Sequence, residues 1–249
     1  MPNIPEGLEP FMLAASYGLT ALLGVAIWWA AGRAGLPSAQ RTRAWLIAMG
    51  ILIGWQLLGH TLARAGFFVA EPGRIGPTLG IAIVLPVILG LAAIAASPTA
   101  QRIVEATPLW ALVAIQVYRV VGGVFLVLWA VSQLPGAFAL PAGLGDVATG
   151  IAAPIIGYAV ARRPDLDRIV ARWNIFGIAD LVIAVTTGFL SSPGTVQLLA
   201  HDAPNRLITA YPLVLVPLYA VPISFILHGL VWKRLAGRTT HSAAVPLTE

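Results

Sequence analysis

The sequence predicts an all-α integral membrane protein, built as a polytopic bundle of seven transmembrane helices. Hydrophobic residues make up 58% of the 249 residues and charged residues only 10%, and the mean hydropathy is +0.86. Soluble domains usually carry about 25% charged residues. Several apolar runs approach the length of about 20 residues that crosses a hydrocarbon core of about 30 Å. This balance excludes an ordinary soluble domain.

The spans are apolar segments bounded by charged residues, proline or glycine, and each is long enough to cross the bilayer. We place them at residues 11–32, 44–65, 75–97, 108–132, 142–161, 173–191 and 211–232. Together they form a single domain over residues 1–236, and residues 237–249 are expected to be a disordered cytoplasmic tail. The sixth span is short, and we expect its helix to extend into the preceding loop, with Asp165 or Asp167 as its N-cap.

The distribution of basic residues predicts the orientation of the bundle. With the N-terminus outside, the inside loops and the C-terminal tail carry eleven Lys and Arg residues, whereas the outside loops carry three. The positive-inside rule therefore places the N-terminus outside and the C-terminus inside. Fourteen of the fifteen basic residues are arginine, which together with the many Ala and Gly residues is consistent with a GC-rich bacterial genome. We expect a multi-pass protein of the bacterial inner (cytoplasmic) membrane.

Three charged side chains lie inside the apolar spans: Arg119 in the fourth, Asp146 in the fifth and Asp180 in the sixth. A charge at the bilayer centre costs about 2.5–3.5 kcal/mol on insertion scales, so such residues usually face the bundle interior and pair with one another. At 1.5 Å per residue, Arg119 lies roughly 15 Å and Asp180 roughly 10 Å from the inside surface. The sequence therefore predicts an intramembrane Arg119–Asp180 pair, either functional or purely structural.

Asp146 is expected to lie apart from this pair. Residues 134–143 are rich in Pro and Gly, and we interpret them as a tight turn outside the membrane, with a segment that dips into the interface as the alternative. Counted from the end of that turn, Asp146 lies only about 5 Å below the outside surface. Gly143, Gly145 and Gly150 give the same span a face of small residues, which favours close packing of a neighbouring helix.

Two glutamines are expected to support the charged residues. Gln116 precedes Arg119 by three residues and shares its helix face, and Gln56 of the second span lies at a similar depth. The predicted ligand-binding or ion-pair centre therefore consists of Arg119, Asp180, Gln116, Gln56 and Asp146.

A second group of polar residues consists of His60, Tyr118, Asn174 and His228. Gln56, His60 and Arg64 follow one another at four-residue intervals and form a polar stripe that points into the bundle. Asn174 is expected to bond to a neighbouring helix. His228 is placed near the inside surface. Ser224 precedes it by four residues, but no acidic partner for a Ser–His nucleophile is visible nearby.

No metal and no cofactor are expected. The chain has no cysteine and only four histidines, whose spacing matches no HxxxH or ExxH pattern. His60 and His228 lie toward opposite membrane faces, which disfavours a haem. Seven spans with an outside N-terminus resemble the topology of microbial rhodopsins. A retinal Schiff base, however, needs a lysine within the last span, and the only lysine, Lys233, lies at its cytoplasmic end.

We expect the protein to bind or transport a small ligand, with an anionic molecule as a candidate, through the Arg/Asp centre rather than to act as an enzyme. One alternative is a membrane-embedded enzyme for a lipid-soluble substrate with Asp146 and Asp180 as acid and base. That mechanism needs the carboxylates within about 5–10 Å. A structural or assembly subunit is the other alternative. The expected partners are the bilayer and the ligand; a homo-oligomer is left open, and no basic run with interleaved aromatics suggests nucleic acid.

Overall fold

The computed structural model describes residues 5–70, 78–163 and 165–243, and within these ranges the regular structure is entirely helical. The helices are α1 (Leu8–Arg33), α2 (Ser38–Arg64), α3 (Thr78–Ala96), α4 (Pro98–Ala106), α5 (Leu109–Ala114), α6 (Gly123–Ala130), α7 (Gly136–Arg162), α8 (Asp167–Ser191) and α9 (Val221–Ala243). The described residues contain seven helical segments that are long and apolar enough to span a membrane. The predicted all-α, seven-span class is confirmed, and it indicates a multi-pass membrane protein. The first residues of the predicted third span, 75–77, lie outside the described residues.

The fourth span is not one regular α-helix. A 3-10 segment, Ile115–Gly122, separates α5 from α6. Runs of 3-10 helix longer than three or four residues are uncommon and often mark a functional or strained position. This segment contains Gln116 and Arg119, and its backbone lies directly against Gly150 of α7. The irregular backbone is therefore found where the predicted charged centre lies.

The start of α7 corrects the position predicted for Asp146. Residues 136–143 form the first turns of α7 and not a tight turn, and Pro135 precedes the helix at the N-cap. Phe138 is buried and packs edge-on against Phe125, with ring centroids 5.1 Å apart. Asp146 therefore lies ten residues into the helix, roughly 15 Å from its start. The Pro and Gly residues were interpreted as turn signals. The segment is nevertheless helical, and the apolar side chains between them are buried in the bundle.

The start of the sixth span and both ends of the seventh differ from the prediction in detail. The extension of α8 into the preceding loop is confirmed, since the helix begins at Asp167, but the N-cap is Leu166 and no side chain caps the helix. Asp167 instead accepts a hydrogen bond from Arg238 at 2.8 Å. The seventh span begins at a π-helical turn, Val216–Ala220, which leads into α9. α9 continues to Ala243, so residues 237–243 of the predicted tail extend the helix, and residues 244–249 lie outside the described part of the chain.

Close packing around α7 brings the polar side chains together. A Cβ added at Gly145 would overlap the Asp180 carboxylate, and one added at Gly157 would lie 2.9 Å from the carbonyl oxygen of Trp110. Small residues let helix backbones approach closely in membranes. The predicted close packing along this span is therefore present, and its partners are α8 and the fourth span.

We predict that Gly145→Ala destabilises the protein, whereas Gly54→Ala does not. The new methyl group at position 145 would displace Asp180, and overpacking of this kind costs about 1–3 kcal/mol. Gly54 lies on the exposed face of α2 with open space around it, so alanine there should raise stability by up to about 1 kcal/mol. The free energies of unfolding in detergent micelles measure both effects. Equal effects of the two substitutions would contradict the close approach of α7 and α8.

Candidate functional site

Arg119 lies at the centre of a buried polar cluster, and its side chain is 1% exposed. Its Nε donates a hydrogen bond to Asp146 Oδ1 at 2.8 Å, and its Nη2 donates to Asp180 Oδ2. Nη1 donates to the carbonyl oxygen of Gly177 at 3.2 Å and faces His228 Nε2 at 3.1 Å. Nη2 also lies 2.8 Å from Asp146 Oδ1. Every nitrogen of the guanidinium group therefore has an acceptor supplied by the protein.

The predicted Arg119–Asp180 pair is confirmed, whereas the predicted separation of Asp146 is wrong. Asp146 contacts the same guanidinium group because the early start of α7 places it at the depth of Arg119. The two carboxylates thus converge on one cation.

His228 also belongs to this cluster, although it was expected near the inside surface. The seventh span runs over Val216–Arg238, about five residues later than predicted, so His228 lies near its middle. Asn174 Nδ2 donates to the backbone carbonyl oxygen of His228 at 3.2 Å, which directs Asn174 Oδ1 toward His228 Nδ1 at 2.7 Å. Nδ1 therefore carries the ring proton, and the Nε2 lone pair accepts from Arg119. The expected bond of Asn174 to a neighbouring helix is present.

The cluster contains two carboxylates, one guanidinium group and a neutral imidazole. With both carboxylates ionised, its formal charge is −1. Burying a charge without a counter-charge is costly in an apolar interior. A single proton or one positive ligand group would make the cluster neutral.

Glycines on three elements make room for these side chains. Cβ atoms at Gly122 and Gly177 would overlap Asp146 and His228 respectively, as one at Gly145 would overlap Asp180. Glycine at these positions therefore permits the convergence of the charged groups. Gly177, which also supplies a carbonyl oxygen to Arg119, was not singled out from the sequence.

Gln116 is fully buried, but it does not hydrogen-bond to Arg119. Neither its amide nitrogen nor its amide oxygen has a hydrogen-bond partner in the described part of the chain, and the same holds for the hydroxyl of Thr149. Unsatisfied buried polar groups are rare in proteins and usually mark bound water or a ligand group.

Gln56 belongs to a separate network and makes no direct hydrogen bond to Arg119. Its Nε2 donates to Ser16 Oγ at 2.6 Å, and its Oε1 accepts from Thr20 Oγ1 at 2.9 Å. Thr20 Oγ1 lies 2.7 Å from the hydroxyl of Tyr219. Both hydrogen-bond partners of Gln56 therefore come from α1, and the π-helical turn is connected to it only through Thr20.

The other members of the second polar group, His60 and Tyr118, contact neighbouring side chains outside the Arg119 cluster. His60 is buried and stacks on Tyr17 at 5.6 Å, whereas Arg64 is exposed and pairs with Glu9 at 2.7 Å. The inward direction of the predicted stripe thus holds for Gln56 and His60. The Tyr118 hydroxyl lies 2.6 Å from the Ser224 hydroxyl, linking the 3-10 segment to α9.

Two cavities meet at Asp146. The larger has a volume of about 410 Å³ and opens between the elements on the side of the bundle where α1 begins. Its apolar lining includes Phe67, Phe68, Phe125, Phe138 and Phe189, and Asp146 is the only charged residue among its described lining residues. The smaller cavity, of about 50 Å³, reaches both Arg119 and Asp146. No local sequence pattern indicates the larger cavity, since its phenylalanines come from distant segments.

We predict that Gln116→Leu leaves the protein as stable as the wild type or more stable. Removing an unsatisfied buried polar group recovers up to about 1–3 kcal/mol. Asn174→Leu is the matched control, because Asn174 is equally buried but loses its hydrogen bonds to His228. Denaturant unfolding in micelles compares the two variants. A loss for Gln116→Leu as large as that for Asn174→Leu would show that Gln116 has a stabilising partner after all.

We also predict that Arg119→Gln lowers the free energy of unfolding by about 3–5 kcal/mol, because it leaves two buried carboxylates without a cation. Adding Asp180→Asn in the same chain removes one of the two like charges and should restore part of the loss. The same unfolding measurement tests this. If the double variant is no more stable than Arg119→Gln alone, the cluster is not held by charge balance.

Comparison with known proteins gives a family but no activity. Residues 76–236 match the family described as "Domain of unknown function (DUF8737)", and this range contains Arg119, Asp146, Asp180 and His228 but neither α1 nor α2. No curated protein and no solved structure is significantly similar to this chain. Because the match covers more than half of the 249 residues, the chain belongs to the DUF8737 family.

Proposed function

We propose that this membrane protein binds or transports a lipid-soluble molecule whose polar end, either neutral or positively charged, contacts Asp146. The observation that supports this proposal is the apolar cavity of about 410 Å³ with a single carboxylate in its described lining. Ligand sites typically occupy about 300–1,000 Å³ and combine an apolar lining with a few polar groups that orient the ligand.

The wall of the cavity favours a largely apolar ligand. Aromatic side chains from α6, α7 and α8 and from the segment after α2 line it, together with aliphatic residues such as Leu79 and Ile83. A polar group placed against this wall would lose its hydrogen bonds at a cost in free energy, so the cavity favours a molecule with an apolar body.

The polar group at the cavity disfavours an anionic ligand, in contrast to the expectation from the sequence. The donors of Arg119 are already directed at Asp146, Asp180, Gly177 and His228. An anion would have to displace a carboxylate from Arg119 and would also meet the negative charge of Asp146. A hydrogen-bond donor or a positive group instead adds to the charge balance of the cluster.

The two alternative functions receive less support. Asp146 and Asp180 lie closer together than the sequence suggested, as an enzyme would require, but Asp180 is not among the described residues that line the larger cavity. A substrate there would reach one carboxylate and not the pair. A purely structural subunit has no need of an internal cavity of this size.

The proposal also covers the membrane in which the protein resides and the side of that membrane to which the larger cavity opens. The larger cavity lies on the side of the bundle where α1 begins, which the positive-inside rule places outside. We propose that the protein resides in a bacterial inner membrane and that the ligand enters from the outer half of the bilayer.

Two hydrophobic ions of nearly identical shape and opposite charge, tetraphenylphosphonium and tetraphenylborate, test the proposal. We expect the purified protein to bind the cation more tightly than the anion, and Asp146→Asn to weaken binding of the cation at least roughly tenfold. Opposite charges about 5 Å apart attract by about 3 kcal/mol at an effective dielectric constant of about 20, and 1.4 kcal/mol corresponds to tenfold in affinity. Isothermal titration calorimetry measures both ions.

Two variants act as controls in this experiment. Asp202→Asn removes an exposed loop carboxylate and should change neither affinity. Ala184→Phe fills the larger cavity and should weaken binding of both ions. The proposal is wrong if the folded protein binds both ions equally well, or if Asp146→Asn and Asp202→Asn behave alike.

A further inference from the structure

The smaller cavity lies between α1, the 3-10 segment, α7 and the π-helical turn. Its volume is about 50 Å³, whereas one water molecule needs about 10–15 Å³ of such space and two to four polar partners. The lining contributes six polar side chains, which are Ser16, Tyr118, Arg119, Asp146, Tyr219 and Ser224. We call this space the polar chamber. It is too small for the ligand proposed above, but it has the room and the polarity for water.

On the α1 side of the chamber, the hydrogen-bond directions can be assigned. Gln56 Nε2 donates to Ser16 Oγ, so Gln56 Oε1 must be an acceptor. Thr20 has a single hydroxyl proton, and two groups that can only accept it lie within reach: Gln56 Oε1 at 2.9 Å and the carbonyl oxygen of Ser16 at 3.1 Å. The proton is therefore directed at these acceptors and not at Tyr219. The Tyr219 hydroxyl then donates to Thr20 at 2.7 Å. The hydroxyl proton of Ser16 and a lone pair of Tyr219 have no partner in the described part of the chain.

On the opposite side of the chamber, one oxygen of Asp146 is also without a partner. Arg119 occupies Oδ1 of this carboxylate, and no described residue donates a hydrogen bond to Oδ2. An ionised carboxylate offers about four acceptor positions. The chamber therefore has an unused donor and an unused lone pair on one side and an unused carboxylate oxygen on the other.

We propose that the polar chamber binds water, and that this water connects the Ser16–Tyr219 side to Asp146 Oδ2. Buried waters typically make about three hydrogen bonds to groups that would otherwise be unsatisfied. Through this water, Gln56 joins the Arg119 cluster without a direct contact. α1 and α2, which lie outside the matched family range, are thereby connected to the charged residues within it. Water in the polar chamber requires no ligand in the larger cavity.

Pulsed X-ray radiolysis with mass spectrometry tests this proposal on the full chain, because radicals formed from a bound water oxidise the side chains next to it. Met12 and Tyr219 line the chamber and are 2% and 3% exposed. Trp173 is similarly buried, at 6% exposure, but does not line it. We expect oxidation of Met12 and Tyr219 and protection of Trp173. If Met12 and Tyr219 are oxidised no more than Trp173, the chamber is dry and the proposal is wrong.

Two cavity-filling variants identify the source of the oxidation. Ala220→Leu fills the polar chamber, whereas Ala184→Leu fills only the larger cavity. We expect Ala220→Leu to abolish the oxidation of Met12 and Tyr219, and Ala184→Leu to preserve it. Ser224→Val provides the same test should Ala220→Leu fail to fold. Oxidation that persists in a folded chamber-filling variant would overturn the proposal.

Discussion

A guanidinium group shared by two carboxylates is the interaction on which the rest of the structure depends. Arg119, Asp146 and Asp180 come from three different spans, and a single unpaired charge in a bilayer costs about 2.5–3.5 kcal/mol. The three spans can therefore pack only in arrangements that keep these groups together. The glycines at positions 122 and 145 follow from the same requirement, since larger residues there would occupy the space of the carboxylates.

The irregular backbone segments are found where this cluster and the cavities need them. Non-helical or distorted backbone in membranes is tolerated where it is buried in protein or lines a cavity. The 3-10 segment, Ile115–Gly122, carries Arg119 and contributes to the polar chamber. The π-helical turn, Val216–Ala220, contributes residues to both cavities. Both segments border the chamber. Water bound there would therefore also be available to their backbone N–H and C=O groups, which in a regular α-helix bond to one another.

The cost of charge in the bilayer is the reason why the sequence alone predicts the class, the seven spans and the Arg119–Asp180 pair. The depth of Asp146 was missed because Pro135 and Pro141 were interpreted as parts of a turn, although helix packing buries the apolar residues between them. A five-residue error at the start of the seventh span likewise displaced His228. The larger cavity depends on side chains brought together only by tertiary packing, so no local pattern in the sequence contains it.

Asp146 is the point at which the charged cluster, the larger cavity and the polar chamber meet. The groups that set the charge, Arg119, Asp146, Asp180 and His228, all lie within the matched family range, residues 76–236. Ser16 at the chamber and Phe67 and Phe68 at the larger cavity lie outside it. The matched family range therefore determines the charge of the site, whereas segments outside that range contribute to the walls of the two cavities. A change in α1 or in the segment after α2 can alter the shape and polarity of the two cavities, while the Arg119 cluster and the packing of the spans are retained.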